Sequence, residues 1–118
     1  MSYDILIVDD SKFDRIILRD MLEDLGHNII GESENGKEAI NMYFKYLPDI
    51  VIMNLVMPVM NGMDAMKFIL ENDPVANIIV TSSSSEKEYV TEAIMNGAKD
   101  FLAIPFKKEK LKEVLEKL

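Results

Sequence analysis

Two adjacent carboxylates, Asp9 and Asp10, close the apolar run Ile5-Leu6-Ile7-Val8. Acids side by side at the edge of a buried sheet repel each other and are relieved by a cation, so the pair marks a candidate cation site. A second apolar run, Ile50-Val51-Ile52-Met53, closes on the carboxamide of Asn54, and a third, Ile78-Ile79-Val80-Thr81, closes on the hydroxyl of Ser82. Acids, an amide and a hydroxyl thus end three such runs.

The elements that must position these groups follow from an alternation of short β-branched runs with longer amphipathic stretches, the pattern of parallel βαβ units. Strands are expected at residues 5–8, 28–32, 50–53, 78–81 and 100–103. Ser11 can cap a first helix carrying Ile17, Leu18, Met21, Leu22 and Leu25, which Gly26 ends. An Asn35-Gly36 turn precedes a second helix at 37–46, and Leu47 leaves helical geometry because Pro48 follows it. Helices are also expected at 63–71, at 86–96 with Gly97 as its end, and at 107–118 with Leu111, Val114, Leu115 and Leu118 on one face. Strand runs apolar throughout imply a sheet buried on both faces, and such sheets bind ligands at the carboxyl ends of their strands. Asp9, Asp10, Asn54, Ser82 and Ile104 all fall at those ends, so one crevice is expected to collect them.

Composition narrows the classes of function. At 118 residues and 48% hydrophobic content the chain is expected to form one domain spanning 1–118. Net charge is −8, and no stretch gathers enough Lys or Arg to track phosphates, which argues against nucleic acid and anionic membranes as partners. Cysteine is absent, removing disulfides and thiolate chemistry. With no cysteine, no basic leader region and no apolar run near the ~20 residues of a membrane span, the expected setting is the cytoplasm; the expected state is a monomer.

Several conspicuous residues have plain structural readings. Ser83, Ser84 and Ser85 read as a flexible polar loop, and His27, lacking a second imidazole, as an exposed turn residue. Met53, Met57, Met63 and Met66 read as core filler, with no specific role for Met60. Charges along 107–117 make a solvated helix face, with Glu113 and Lys117 at favourable spacing.

The whole chain resembles the receiver domain of two-component response regulators, most closely the single-domain CheY-like kind. The likeness rests on Ile5-Leu6-Ile7-Val8-Asp9-Asp10-Ser11, Asn35-Gly36-Lys37-Glu38-Ala39, Pro48-Asp49-Ile50-Val51, Met57-Pro58-Val59-Met60-Asn61-Gly62, Gly97-Ala98-Lys99-Asp100-Phe101 and Pro105-Phe106. It implies a doubly wound, flavodoxin-like α/β fold with a five-stranded parallel sheet in order 2-1-3-4-5, and a cis Ile104-Pro105 peptide. It also implies roles: Asp10 as direct Mg²⁺ ligand, Asp9 as a ligand through water, Asn54 at the phospho-acceptor position, the Val56 carbonyl as a further metal ligand, Ser82 as the phosphoryl-holding hydroxyl, and Ile104 at the place of a β5 lysine.

An amide is a poor nucleophile, brings no charge to Mg²⁺ and forms no acyl phosphate. Without the lysine, no cation stabilises the transferring group. The resemblance therefore implies a signalling module in a phosphorelay, not an enzyme, with Mg²⁺ weak or absent, and with a histidine kinase or a downstream target as protein partner. Candidate contacts are Lys87, Glu88, Glu92, Met95, Lys99, Phe101 and Ala103, with Phe101 either settling inward as core or meeting the partner. One alternative is an acceptor-site variant engineered from a phosphorylatable, chemotaxis-type regulator. A flavodoxin-like cofactor carrier or an aspartate-nucleophile phosphatase shares the topology, but Asp9-Asp10-Ser11-Lys12 is neither a glycine-rich phosphate loop nor Asp-x-Asp.

Overall fold

A computed structural model describes residues 2–118. Five parallel strands, β1 (Asp4–Val8), β2 (Asn28–Ser33), β3 (Ile50–Asn54), β4 (Ile78–Ser82) and β5 (Asp100–Ala103), form one sheet in the order β2-β1-β3-β4-β5. Between and after them run α1 (Lys12–Asp24), α2 (Gly36–Tyr46), α3 (Gly62–Asn72), α4 (Lys87–Met95) and α5 (Lys108–Glu116). The expected sheet order and the cis Ile104-Pro105 peptide are both present.

Side chains alternate across the central strands and divide the core into two layers. Leu6, Val8, Val51, Met53, Ile78 and Val80 pack with Ala39, Tyr43, Met66 and Ile69 of α2 and α3. On the other face, Ile5, Ile7, Ile50, Ile52, Ile79 and Leu102 meet Leu18 and Leu22 of α1 and Leu111, Val114 and Leu115 of α5. The central strands are therefore apolar on both sides, as their sequences imply. Met53, Met57, Met63 and Met66 are all buried, and Met60 packs partly buried against the first layer.

Helix ends obey local chemistry. Ser11 caps α1 by accepting the Asp14 N–H, and Asn61 caps α3 by accepting the Asp64 N–H. At the C-terminus of α1, the His27 N–H reaches the Leu22 carbonyl and the Gly26 N–H reaches Glu23, with Gly26 at φ +92°; Gly97, at φ +114°, ends α4 with the same pair of bonds. This Schellman arrangement needs a residue at ease in the left-handed region.

Some expectations are corrected. Asn35-Gly36 is not a turn: Asn35 is the N-cap of α2, accepting the Glu38 N–H, and Gly36 is already helical. Leu47 leaves the helix into left-handed backbone, φ 48°, rather than into an extended form. Ser83 to Ser85 is not a loose loop, because Ser83 and Glu86 form a reciprocal capping box around the short 3-10 turn η1 (Ser84–Glu86). His27 is half-buried, stacked on the Tyr3 ring and accepting the Tyr3 N–H at Nδ1 (3.0 Å), so burial holds its pKa below the usual histidine value. Leu118 lies past the end of α5 and is exposed.

Candidate functional site

β1 and β3 lie side by side with Val8 opposite Met53, so the residues that follow, Asp9 and Asn54, emerge together at the carboxyl edge. Both continue the alternation of the α1 and α5 face, set by Ile5 and Ile7 on one strand and by Ile50 and Ile52 on the other. β4 adds Thr81 beside Asn54. A row of three polar side chains, Asp9, Asn54 and Thr81, thus crosses three adjacent strands on one face.

Asp9 is almost fully buried. Its Oδ1 accepts the Ser11 N–H at 2.9 Å and, at 3.4 Å, the Asn54 amide Nδ2. Burial dominates its electrostatics and pushes the carboxyl up from 3.8 to about 6; the Ser11 N–H opposes this, Asp14 adds to it, Asn54 opposes it, and Asp10 adds to it. Asp10 itself is exposed. The Asn54 amide is used at both ends, because its Oδ1 accepts the Val56 N–H at 3.3 Å.

The β3-to-α3 loop is held tightly under this amide. The Leu55 N–H donates to Thr81 O and the Gly62 N–H returns to Leu55 O. A Cβ on Gly62 would lie 1.9 Å from the Asn54 carbonyl oxygen, so only glycine allows α3 to start this close to β3. Val59, at the loop tip, holds φ 70°.

Ser82 ends β4, buried, with its carbonyl accepting the Ile104 N–H at 2.9 Å. Ile104 lies partly buried against the α1 and α5 layer. The structure therefore brings Asp9, Asn54, Ser82 and Ile104 to one edge of the sheet, with Asp10 and Val56 at its exposed rim.

Three residues that the sequence reading did not single out complete the site. Arg15 Nη1 donates to the Asp9 backbone carbonyl at 2.6 Å while its Nε pairs with Glu32 at 3.1 Å, so this guanidinium is already committed. Glu32 also receives Arg19. Thr81 Oγ1 is a buried side-chain polar atom with no hydrogen-bond partner, the one such atom among the described residues. Strand alternation from Ile79 was the signal that could have placed Thr81 on the face of Asn54. Arg15, one turn inside a capped helix that follows Asp10, was legible as a group folding back on the strand end.

The surface residues expected to meet a partner, Lys87, Glu88, Glu92 and Met95 on α4 and Lys99, Phe101 and Ala103 at β5, are all exposed. Phe101 is 39% exposed, so it does not settle inward as core.

The sequence profile of the response regulator receiver domain matches residues 5–116. The chain belongs to that family. This receiver is 45% identical over 118 residues to the chemotaxis protein CheY of Thermotoga maritima, covering 100% of this chain and 98% of that one. It is 39% identical to the CheY of Bacillus subtilis, covering 99% and 98%. Among solved structures, it superposes on a chain of the CheX-CheY-BeF3-Mg+2 complex from Borrelia burgdorferi with TM-score 0.92 and 31% identity, covering 98% of this chain and 87% of that one. It is a CheY-like receiver of two-component signalling, and no helix among its described residues is long and apolar enough to cross a membrane.

Receivers typically bind Mg²⁺ at the acceptor site. Among the described residues no three His, Cys, Asp or Glu side chains are grouped to hold a metal. Asp9 and Asp10 supply the charge, and the Asn54 oxygen already accepts an N–H. Mg²⁺ takes near-octahedral oxygen ligands, dehydrates reluctantly and usually keeps several waters while held by one or two carboxylates, so Asp9 and Asp10 are the charged groups that would hold it here.

Proposed function

We propose that this receiver has given up phosphoryl acceptance and works as a protein-protein interaction module. In this reading Asn54 stands at the phospho-acceptor position, Ser82 at that of the phosphoryl-holding hydroxyl, and Ile104 at that of the β5 lysine. One observation carries it: the group that ends β3 beside Asp9 is an amide, bonded at Nδ2 to Asp9 and at Oδ1 to the Val56 N–H. A carboxamide oxygen does not attack phosphorus to give an acyl phosphate. No ammonium from β5 faces the pocket, and the Arg15 guanidinium is spent on Glu32 and a backbone carbonyl.

The pocket's formal charge supports a matched pair of changes. Three carboxylates with one ammonium sum to −2, and Asp9 with Asp10 alone also sum to −2. Losing the acid and the lysine together preserves the field on which the buried row depends. Losing only the acid would leave a lysine facing two carboxylates.

Function then resides on the surface of α4, β5 and α5, where Lys87, Glu88, Glu92, Met95, Lys99, Phe101 and Ala103 would meet a histidine kinase or a downstream target. The test is chemical. Incubated with acetyl phosphate, or with beryllofluoride and Mg²⁺, the protein stays unmodified by intact-mass spectrometry and unshifted in its amide spectrum. A labile phosphoryl adduct would overturn the reading.

A further inference from the structure

We propose that the cavity between the β3-to-α3 loop and α4 is a socket for one arginine side chain of a partner protein. It encloses about 190 Å³. Leu55, Val56 and Met63 supply apolar lining, and the half-exposed Tyr89 of α4 lines it as well. The lining also carries Asn61, Asp64 and Glu92, and Lys67 of α3 pairs with Glu92 of α4 at 3.5 Å.

The occupant follows from the composition of this lining. A long side chain lying in the cavity meets the hydrocarbon of Leu55, Val56 and Met63, the Tyr89 ring, and two carboxylates for one resident cation. Arginine carries an aliphatic stem and a planar, weakly hydrated guanidinium that stacks on aromatic rings and forks onto carboxylates. Lysine, a compact and strongly hydrated charge, gains less from Tyr89 and must compete with Lys67 on equal terms. An acidic side chain is opposed by the net −1 of the lining.

A second copy of this chain does not supply the anchor. Its arginines are Arg15 and Arg19, both drawn onto Glu32. The occupant is therefore foreign, and a chain of net charge −8 favours a basic one. The socket adjoins the site loop through Val56 and the α4 surface through Glu92, so an arginine seated there displaces the Lys67 to Glu92 contact and touches both. This holds whether or not position 54 can be phosphorylated.

The test uses the intact chain, isotope-labelled for amide NMR, titrated with Nα-acetyl-arginine amide and, separately, with its uncharged isostere Nα-acetyl-citrulline amide. Saturable shifts are expected at Leu55, Val56, Lys67 and Tyr89 with the arginine probe, at a dissociation constant on the order of millimolar for so small a ligand. The citrulline probe is expected to bind at least about tenfold more weakly. Asp64→Asn with Glu92→Gln should weaken the arginine probe about tenfold, and Lys67→Gln should tighten it, a gain that damage to the fold cannot imitate. Absence of saturation, equal response to citrulline, or indifference to these substitutions would overturn the proposal.

Discussion

Asn54 and Asp9 meet through a long hydrogen bond, Nδ2 to Oδ1 at 3.4 Å, across the carboxyl ends of β3 and β1. The amide donates to a carboxylate that burial has made reluctant to ionise, and it takes the Val56 N–H in return. A carboxylate at position 54 could keep the second bond but not the first.

Asn54→Asp is therefore expected to lower the melting temperature in chelator. Two charges at that separation repel by about 5 kcal/mol at an effective dielectric of ~20, and uptake of a proton by Asp9 limits the net loss to roughly 1–3 kcal/mol. Mg²⁺ should recover part of it, about 1.4 kcal/mol at ten times the dissociation constant. Thermal melts of both proteins with and without Mg²⁺ read this directly; the unsubstituted protein should respond little.

Adding Ile104→Lys tests the second half of the site. Alone, it buries part of an ammonium against the layer that Ile104 now packs on, at a cost in stability. With Asn54→Asp the lysine gains a partner, so the two changes should couple favourably by about 1 kcal/mol or more in a double-mutant cycle. The double variant should also take phosphoryl from acetyl phosphate where either single variant does so poorly or not at all.

Asp9 makes stability depend on pH in the direction opposite to a salt-bridged acid. Its folded pKa, about 6, lies above the unfolded value near 3.8, so the native state binds the proton more tightly. Stability is then greatest below the unfolded pKa and is lost as pH rises toward and through about 6, by up to roughly 3 kcal/mol. Asp9→Asn keeps an acceptor for the Ser11 N–H and removes the penalty. It should raise the denaturation midpoint at pH 8 by an amount that vanishes near pH 4, as denaturant melts across that range would show.

Gly62→Ala should be among the most damaging single-methyl changes in the chain. The added carbon falls 1.9 Å from the Asn54 carbonyl oxygen, which is backbone and cannot rotate away. Either α3 moves off β3 or the site loop does, at a cost of about 1–3 kcal/mol or more. Urea unfolding measures the loss. A variant as stable as the parent would mean that the loop is far more compliant than its backbone hydrogen bonds, Leu55 N–H to Thr81 O and Gly62 N–H to Leu55 O, suggest.

What the sequence made legible was whatever is encoded locally or by period. The strand order, the acid pair and the Ser11 cap follow from alternation, from capping chemistry and from the family's spaced motifs. The local misreadings, Leu47 and Ser83 to Ser85, turn on end geometry within a few residues, whereas others concern residues whose conformation is decided by a partner far along the chain. Asn35-Gly36 carries a turn signature, but the Gly36 N–H goes to Met60 O, and the Asn35 side chain is better used on the α2 N-terminus. His27 looked like a loose turn residue because its partner, Tyr3, lies 24 positions away. Arg15 and Glu32, which lock the back of Asp9, are likewise joined only by the fold. Phe101 was ambiguous because a single aromatic on an edge strand can face either way, and here it faces out.

That outward Phe101 leads to the last prediction, which concerns how a target would recognise the protein. A phosphorylatable receiver changes affinity because its phosphoryl group interacts differently with two conformations. On the proposed reading, a chain whose β3 ends in an amide bonded to both Asp9 and Val56 offers no such ligand, and a ligand without differential affinity shifts no equilibrium. Partner binding should accordingly be constitutive, set by the arrangement of Ser82, Phe101 and the η1 turn that the free protein already holds. With a partner isolated by affinity capture, the dissociation constant measured by calorimetry should be unchanged by acetyl phosphate. Phe101→Ala should weaken it about tenfold or more, as removal of an aromatic anchor does, and charge reversal at Lys99 should weaken it through the association rate and in a salt-dependent way. Binding that needs the phosphodonor would show instead that the switch is intact and uses a group other than Asn54.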